Sequence, residues 1–416
     1  MAEIPGLAVR RAALRMCDAV LRRGETLDRA APAALKGVKG EADRALVRAI
    51  ASEVFRWLTD LDALIDSATR QRLPADAKAR AVLRLMLVQW LRLETPPHAV
   101  VATGLPLLAG GPRRLAHGVF GALTRNEVKL PEVPSLPEAV AARWGERAGA
   151  IAAGLATPPP LDLTLKDFGR DPSETERWTS ELGGVSLLPG HLRLPRGVAV
   201  ESLPGYAKGA WWVQDLAASL PARLLGRGNG KRALDLCAAP GGKTLQLAAA
   251  GWQVTALDKS DKRMKLLRDN LVRTGLSAEI VIADALTWES TEPFDAILLD
   301  APCTATGTCR RHPEVLHRIG ERQIGEMAEL QCALLERAVR WLKPGGALVY
   351  AVCSLEREEG EEQAAKVPLE PVPVVASELP QGLSATPEGW VRTDPGMLPE
   401  KGGLDGFFIA RFHASP

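Results

Sequence analysis

Two short segments of the chain each carry a cysteine where a nucleophile would be useful. They read Asp300-Ala301-Pro302-Cys303 and Ala351-Val352-Cys353-Ser354. Each follows an apolar run that predicts a buried strand, so both thiols are expected at or just beyond a strand end. A single cysteine there is usually a small buried hydrophobe. Two such cysteines on one edge of a sheet favour covalent chemistry through a thiolate.

A glycine turn lies upstream, in the run Leu-Asp-Leu-Cys-Ala-Ala-Pro-Gly-Gly-Lys-Thr at residues 234–244. It predicts a strand, a turn of small residues and a helix start, whose N–H groups favour an electron-rich ligand. A Walker A loop would need glycine where Cys237 stands, and the Gly-x-Gly-x-x-Gly pattern of dinucleotide turns is absent. The remaining candidates are the turn that holds S-adenosylmethionine and a tight turn with no ligand.

Aspartates recur at the ends of the next predicted strands, at Asp258, Asp284 and Asp300. Asp258 follows the turn by about 20 residues, where a carboxylate accepts both ribose hydroxyls. Asp284 could bind an adenine amino group. A single aspartate at such a place commonly caps a turn, but three in register with a glycine turn predict a cofactor site at the carboxyl ends of the strands.

A methyl donor beside two thiols suits methylation of a pyrimidine carbon. C5 of cytosine is a poor nucleophile, but a thiolate that adds to C6 enables C5 to attack an activated methyl group. A base must then remove the C5 proton so that the thiolate can leave. A nearby positive charge or helix N-terminus should lower the pKa of the thiol, and Asp300 is a candidate to hydrogen-bond the N3 edge of the ring.

The elements that must position these residues alternate between strand and helix from residue 232 onward. This alternation predicts a mostly parallel sheet with helices on both faces. We expect parallel strands at 233–237, 254–258, 279–283, 296–300 and 347–353, and an antiparallel strand at 407–412 at or near the sheet edge.

The part of the chain before residue 232 has a different hydrophobic pattern. Residues 7–130 repeat apolar side chains at helical spacing and predict a helical bundle, with a central buried helix at 82–93. A proline-rich linker at 131–137 follows. Residues from about 140 to 228 predict a small α/β segment with strands at 161–165 and 198–200.

Composition indicates a folded chain of two or three domains. The 416 residues are 46% apolar and 25% charged, which excludes a wholly disordered protein. The net charge of +2 hides an asymmetry, because residues 1–135 hold 21 Lys and Arg against 14 Asp and Glu. This basic third predicts either a module that meets a polyanion or a solvated helical surface.

No signal peptide and no membrane-spanning stretch is recognisable, which predicts a cytoplasmic protein. Thiols are kept reduced there, so the six cysteines are expected to be unpaired. Their spacing fits no zinc pattern, and no metal is expected. Nothing suggests an obligate protein partner, and we expect a monomer.

Four motifs together resemble the Sun/Fmu family of RNA cytosine-C5 methyltransferases. They are residues 294–305, the glycine turn at 235–244, Arg310-Arg311-His312-Pro313-Glu314, and Cys353-Ser354. Residues 1–135 are also similar to the NusB-type RNA-binding domain of the bacterial RsmB subgroup of that family. The runs 203–205 and 213–215 resemble its small bridging domain.

The resemblance implies an α/β fold with a Rossmann-like class I methyltransferase domain at 229–416. An all-α NusB-like domain at 1–135 and a small α/β bridging domain at 136–228 would precede it. The implied activity is S-adenosylmethionine-dependent methylation of C5 of a cytosine in 16S rRNA, through a covalent cysteine–C6 adduct.

The resemblance also implies roles for single residues. Cys353 would be the nucleophile on C6, and Cys303 would assist release of the product. Lys243 would reach toward the target base or anchor the helix start. The residues expected to bind S-adenosylmethionine are Cys237, Ala238, Ala239, Pro240, Gly241, Gly242, Lys243, Asp258, Asp284 and Asp300.

The family pattern is not complete, and alternatives stay open. Leu316 and His317 replace the usual tryptophan and basic residue, Val352 a frequent threonine, and Gly360 a frequent asparagine. Alternative functions are methylation of tRNA, another RNA or DNA, and a non-catalytic rRNA-binding assembly factor, against which the intact cysteines and glycine turn argue.

Contacts with RNA have candidates of their own. Arg310 and Arg311 are expected to hold RNA backbone beside a flipped base, or else to form a surface salt bridge. The pair Trp211-Trp212 would stack on bases or, more commonly for paired tryptophans, pack against a sheet.

Overall fold

A computed structural model describes residues 4–167 and 171–416. Contacts within the chain divide it into two compact units. We call the first, which runs to Pro158 and includes Thr308–Ile319, the helical unit. The second, Pro159–Gly307 with Gly320–Pro416, is the sheet unit. The domain bounds inferred from the sequence, at 135 and 228, remain predictions.

The helical unit is built from amphipathic helices around one apolar core. On α3, Val47, Ile50 and Val54 are fully buried at helical spacing. The central helix α5 is buried on nearly all sides, from Ala79 to Gln89, as predicted for a core helix. The helices are α1 (Leu7–Arg23), α2 (Leu27–Ala34), α3 (Glu41–Arg56), α4 (Leu58–Ser67), α5 (Lys78–Leu91), α6 (Pro97–Gly104), α7 (Gly110–Arg125), α8 (Glu138–Trp144) and α9 (Ala148–Leu155).

A small antiparallel sheet begins the sheet unit. Its strands are β1 (Leu161–Leu165), β2 (His191–Leu194) and β3 (Trp211–Val213), with β1 in the middle, and the helices are α10 (Pro172–Leu182) and α11 (Leu216–Arg223). The strand predicted at 198–200 is wrong, because Gly197 turns the chain at positive φ and Val200 begins a short 3-10 turn. Trp211 and Trp212 are buried and serve packing, the commoner of the two alternatives.

The main sheet follows the predicted alternation. Its elements are β4 (Arg232–Leu236), α12 (Gly242–Ala249), β5 (Gln253–Asp258), α13 (Asp261–Thr274), β6 (Glu279–Ile282), β7 (Phe294–Asp300), α14 (Glu321–Arg340), β8 (Leu342–Val352), α15 (Glu361–Ala364), β9 (Glu370–Pro371), β10 (Val391–Thr393) and β11 (Phe407–His413). The spatial order is β10-β11-β8-β7-β4-β5-β6, and β9 also pairs with β11.

Strand direction in this sheet creates a binding edge. From β8 to β6 all neighbours are parallel, while β11 is antiparallel to β8 and is followed only by the short β10, as predicted near an edge. After β4 the chain forms β5 and β6 on one side of β4, and it then returns to form β7 on the other side of β4. This reversal of direction places a crevice at the carboxyl ends of β4 and β7, where open α/β sheets bind ligands.

Alternation along β7 and β8 explains why helices cover both faces of the sheet. Leu298 and Val349 pack on one face with α11, and Ile297 and Tyr350 pack on the other, which α14 covers. The strands are therefore apolar on both faces, and polar groups concentrate at their ends. Among the described residues no helix is long and apolar enough to cross a membrane.

Candidate active site at the carboxyl ends of the parallel strands

The main sheet brings most of the candidate residues to one edge. Cys237 directly follows β4, Asp258 ends β5, Asp284 follows β6, Asp300 ends β7 and Cys353 directly follows β8. Register supports this placement, because Leu236 pairs with both Leu257 and Leu299. Leu236 and Leu299, 63 positions apart in the chain, thus become neighbours through strand pairing alone.

The glycine turn has the backbone that its sequence predicts. Cys237 takes a left-handed φ of 68°, and its N–H donates to the carbonyl of Leu257 at 2.9 Å. Gly241 has φ 109°, and a Cβ there would lie 2.4 Å from the Leu267 side chain. The turn therefore requires glycine at 241, where it brings the backbone close to α13 and begins α12 at Gly242.

A cavity of about 180 Å³ opens beside this turn. Its floor holds Cys237, Asp258 and Asp284, while Pro302 of the first cysteine segment closes one side. The remaining walls are Leu257, Lys259, Ser260, Arg263, Ala283, Ala285, Leu286, Leu330 and Leu334. Largely apolar walls with a few convergent polar groups are the usual form of a small-molecule site.

Both cavity carboxylates are held by backbone donors. Asp258 accepts the N–H of Ala239 at 3.1 Å and the N–H of Ser260 at 2.8 Å. Asp284 is exposed and accepts the N–H of Leu286 at 2.9 Å. These bonds fix the orientation of each carboxylate toward the cavity before any ligand arrives.

Asp300 pairs with Lys243 rather than standing alone. The Lys243 ammonium donates to Asp300 at 2.7 Å and lies 5.3 Å from the centre of the Phe407 ring. Burial works to lower the pKa of Lys243, but the charge and hydrogen bond of Asp300 outweigh it and raise the pKa. A positive charge is thus placed near Cys353. The electrostatic interaction with Cys353 also contributes to raising the pKa of Lys243.

The two predicted cysteines meet at the sheet edge. Their Sγ atoms lie 3.4 Å apart, although the residues are 50 positions apart in sequence. The hydrogen bond with Cys353, and then burial, raise the pKa of Cys303 well above its ordinary value. A raised pKa disfavours the thiolate of Cys303, which suits a role other than first nucleophile.

A buried carboxylate that the sequence analysis did not select joins the two cysteine segments. Glu359 accepts hydrogen bonds from Thr304, which follows Cys303, and from Ser354, which follows Cys353. The acidic run at 359–361 was visible in the sequence. The run itself does not predict whether Glu359 or Glu361 is buried, because this depends on the path of the loop after β8.

Arg310 does not lie where the sequence analysis placed it. Its segment belongs to the helical unit, and the Arg310 side chain is only 2% exposed. Its carbonyl accepts a hydrogen bond from Arg56 at 2.8 Å, and the adjacent Glu314 accepts from the N–H of Leu27 at 3.0 Å. The prediction that Arg310 holds RNA backbone is wrong, because its side chain is buried. Arg311 is exposed and remains a candidate.

All six cysteines are free thiols in the structure. Over residues 4–167 and 171–416, no group of three His, Cys, Asp or Glu side chains is arranged to hold a metal ion.

Family models match most of the chain. A model described as 16S rRNA methyltransferase RsmB/F matches residues 222–413, and the NusB family model matches residues 7–107. Similar full-length relatives include two proteins named ribosomal RNA small subunit methyltransferase B. The one from Xanthomonas campestris pv. campestris is 36% identical over 86% of this chain and 87% of its own length. The one from Xylella fastidiosa (strain Temecula1) is 35% identical over 98% of this chain and 98% of its own length.

Solved structures share the fold. PH0851 covers 99% of this chain and 99% of its own, with a TM-score of 0.73 and 23% identity. A methyltransferase homolog from Pyrococcus horikoshii covers 71% of this chain and 98% of its own, with a TM-score of 0.56 and 27% identity. NSun6 from Pyrococcus horikoshii, solved with SFG, gives a TM-score of 0.58 over 67% of this chain and 98% of its own, at 20% identity.

Proposed function

Because this chain belongs to the RsmB/F family of 16S rRNA methyltransferases, we propose that it transfers a methyl group from S-adenosylmethionine to C5 of a cytosine in 16S rRNA. The observation that carries the choice of C5 is the pair of thiols 3.4 Å apart, in segments of which the first, through Pro302, also lines the cavity. Methylation of an exocyclic nitrogen or a ribose hydroxyl has no step that needs a thiolate, whereas methylation at C5 does.

The residues around the cavity fit S-adenosylmethionine. Asp258 is oriented for the two ribose hydroxyls, and the leucines of α14 offer an apolar wall for an adenine ring. The turn from Cys237 to Lys243, with Asp284 and Asp300, would complete the binding site. When bound, the cofactor supplies a methyl group attached to a positively charged sulfur.

Cys353 is the proposed nucleophile on C6 of the target base. The Lys243 ammonium lies close enough to interact with it electrostatically. Attack at C6 puts negative charge on the ring and makes N3 more basic, so that N3 can take up a proton. The Asp300 side chain is partly exposed at the end of β7, where its carboxylate could accept a hydrogen bond from the protonated N3.

Cys303 is proposed to act second. Its raised pKa disfavours the thiolate that would compete with Cys353 for C6. Once C5 carries the methyl group, a base takes the C5 proton, the C5–C6 double bond re-forms and the Cys353 sulfur departs. Cys303 is proposed to assist this release by giving its thiol proton to the departing sulfur, which lies 3.4 Å from its own.

The helical unit is proposed to hold the RNA. It contains the segment that matches the NusB family, and its exposed basic residues can neutralise phosphates. The target cytosine would have to leave its stack so that C5 and C6 reach the sheet edge.

Two cysteine variants test the proposal. We expect Cys353→Ala to abolish transfer of labelled methyl from S-adenosylmethionine to 16S rRNA, and Cys303→Ala to accumulate a covalent protein–RNA adduct that survives denaturing electrophoresis. Cys332→Ala is the matched control, since Cys332 lies on the opposite side of α14 from the cavity-lining Leu334 and near Val367. An adduct in Cys353→Ala instead would reverse the two roles.

Substrate choice is tested in the same assay with purified 16S rRNA, tRNA and duplex DNA. The proposal expects incorporation into 16S rRNA alone, with the label recovered as 5-methylcytosine after digestion. Label in tRNA or DNA, or at another atom of the base, would contradict it, and the absence of transfer to any RNA would leave a binding protein instead.

A further inference from the structure

The loop after β8 buries a carboxylate with no place in the proposed chemistry. Glu359 is 0% exposed. Its Oε1 accepts the N–H of Thr304 at 2.8 Å and the side-chain amide of Gln331 at 3.3 Å. Its Oε2 accepts the Thr304 hydroxyl at 2.5 Å and the Ser354 hydroxyl. Four donors therefore converge on one carboxylate.

The donors come from the two cysteine segments and from the helix beneath them. Thr304 directly follows Cys303, and Ser354 directly follows Cys353. Gln331 of α14 also donates to the carbonyl of Pro302 at 2.8 Å. Glu359 is the common acceptor through which these three pieces are joined.

Further bonds tighten the same junction. The Thr306 and Ser354 hydroxyls lie 3.2 Å apart, and the N–H of Leu355 donates to the Thr306 hydroxyl at 2.9 Å. The N–H of Gly307 donates to the carbonyl of Cys353 at 3.0 Å. The two segments thus form one connected hydrogen-bond network with a single carboxylate at its centre.

Such a carboxylate is costly to bury. Burial raises the pKa of Glu359, and the hydrogen bonds from Ser354 and Thr304 act in the opposite direction. An apolar side chain would fill the same space without that cost. The reason for a carboxylate at this position is geometric. An apolar group could not accept a hydrogen bond from a backbone N–H of one segment and another from a hydroxyl of the other.

We propose that Glu359 is a positioning residue that clamps the Cys303 and Cys353 segments together and so sets the separation of the two sulfurs. This inference rests on the proposed function, in which both thiols act in turn on adjacent atoms of one base. A displacement of about 1 Å in such a pair can cost about 100-fold in rate. The clamp would therefore affect kcat, and it touches neither the cofactor nor the RNA.

Disulfide trapping measures the clamp without any methyl transfer. Diamide takes one hydrogen from each thiol and is reduced to its hydrazine, while an S–S bond joins Cys303 and Cys353. The rate depends on how often the sulfurs, 3.4 Å apart in the structure, reach bonding distance. Mass spectrometry of the linked peptides follows that rate.

We expect Glu359→Ala to slow this trapping by at least about fivefold and to lower kcat by about tenfold or more, with KM for cofactor and RNA within about twofold. Glu359→Gln should keep both rates within about threefold of wild type, since its amide oxygen can face the Thr304 N–H and its nitrogen can donate to the hydroxyls. Glu362→Gln, an exposed neighbour, is the matched control and should match wild type.

Trapping in Glu359→Ala at the wild-type rate or faster would overturn the clamp. If Glu359→Ala does not fold, the double variant Thr304→Val with Ser354→Ala removes both hydroxyl donors and should slow trapping as well. The two proposals fail separately. A wild-type protein that methylates no RNA defeats the proposed function, while the trapping rates still decide whether Glu359 positions the cysteines.

Discussion

At the scale of single residues, the site packs ionisable groups against one another. Asp300 and Lys243 form an ion pair, and the hydrogen bond with Cys353 and burial raise the pKa of Cys303. Asp235 lies in β4, two residues before Cys237, and is buried. Burial raises its pKa to about 7, although a hydrogen bond from the Thr244 hydroxyl acts against the shift. The glycine turn therefore rests on a carboxyl group that titrates near neutrality.

The Asp235 shift predicts a pH-dependent stability. A folded-state pKa above the unfolded value means that the folded protein binds a proton more tightly. Asp235 therefore makes its full contribution to the free energy of unfolding below about pH 4. This contribution is lost as the pH rises through about 7. Asp235→Asn, which resembles the neutral form, should remove that loss. Relative to wild type, the variant should gain on the order of 1–3 kcal/mol in free energy of unfolding between pH 4 and pH 8.

Urea unfolding at several pH values measures this difference. Asp269→Asn, on the exposed side of α13, is the control and should follow wild type at every pH. Parallel curves for Asp235→Asn and wild type would show that Asp235 is ionised throughout this range.

At the scale of elements, residues 308–319 belong to the helical unit, although most of the helical unit precedes them by 150 residues or more in the chain. They follow the Cys303 segment directly in the chain, yet they pack as part of the helical unit. Arg56 of α3 holds them there, since its guanidinium donates to the carbonyl of Arg310 at 2.8 Å, to that of Leu155 at 2.8 Å and to Glu53 at 2.9 Å. Within the motif at 310–314, Arg310 and Glu314 are thus buried in the helical unit, while Arg311 is exposed.

Arg56→Met should destabilise the helical unit by about 3–5 kcal/mol, because it leaves a buried carboxylate and two buried carbonyls with fewer donors. Denaturant unfolding followed by the circular dichroism of the helices is a suitable measurement. Arg48→Met, on the exposed face of the same helix, should change stability by less than about 0.5 kcal/mol. Equal losses in both variants would refute a specific role for Arg56.

At the scale of the whole molecule, charge is divided between the units. The basic excess of residues 1–135 lies in the helical unit, while the carboxylates of the cavity lie in the sheet unit. Several of the basic side chains are exposed, among them Lys36 and Lys39 between α2 and α3. The proposed function assigns this surface to RNA phosphates.

Replacing Lys36 and Lys39 by glutamate should weaken binding to 16S rRNA by at least about threefold and reduce the slope of log affinity against log salt by about 2. Both effects follow from the loss of two phosphate contacts with their released counterions. Filter binding at several salt concentrations measures them. Lys366→Glu in the sheet unit is the control. It makes half the charge change, so about half the effect there would indicate a response to net charge alone.

Much of the site could be read from local sequence. Apolar runs ending in Asp258, Asp300 and Cys353 predicted strands with functional ends, and these strands formed, because strand and helix periodicity are short-range properties. The glycine turn was equally readable, since its small residues are required by the backbone itself. The family resemblance supplied the reaction, which periodicity alone could not identify.

Other features depended on tertiary structure. A sequence places Cys303 and Cys353 on strand ends, but only the parallel pairing of β7 and β8 brings their sulfurs to 3.4 Å. It shows that Arg310 and Glu359 are charged, but not that both are enclosed. By itself, the sequence determined the strands, the turn and the chemical types of the reacting groups. Which charged side chains face inward was decided by packing between distant segments, because burial is a property of the folded surroundings and not of the residue.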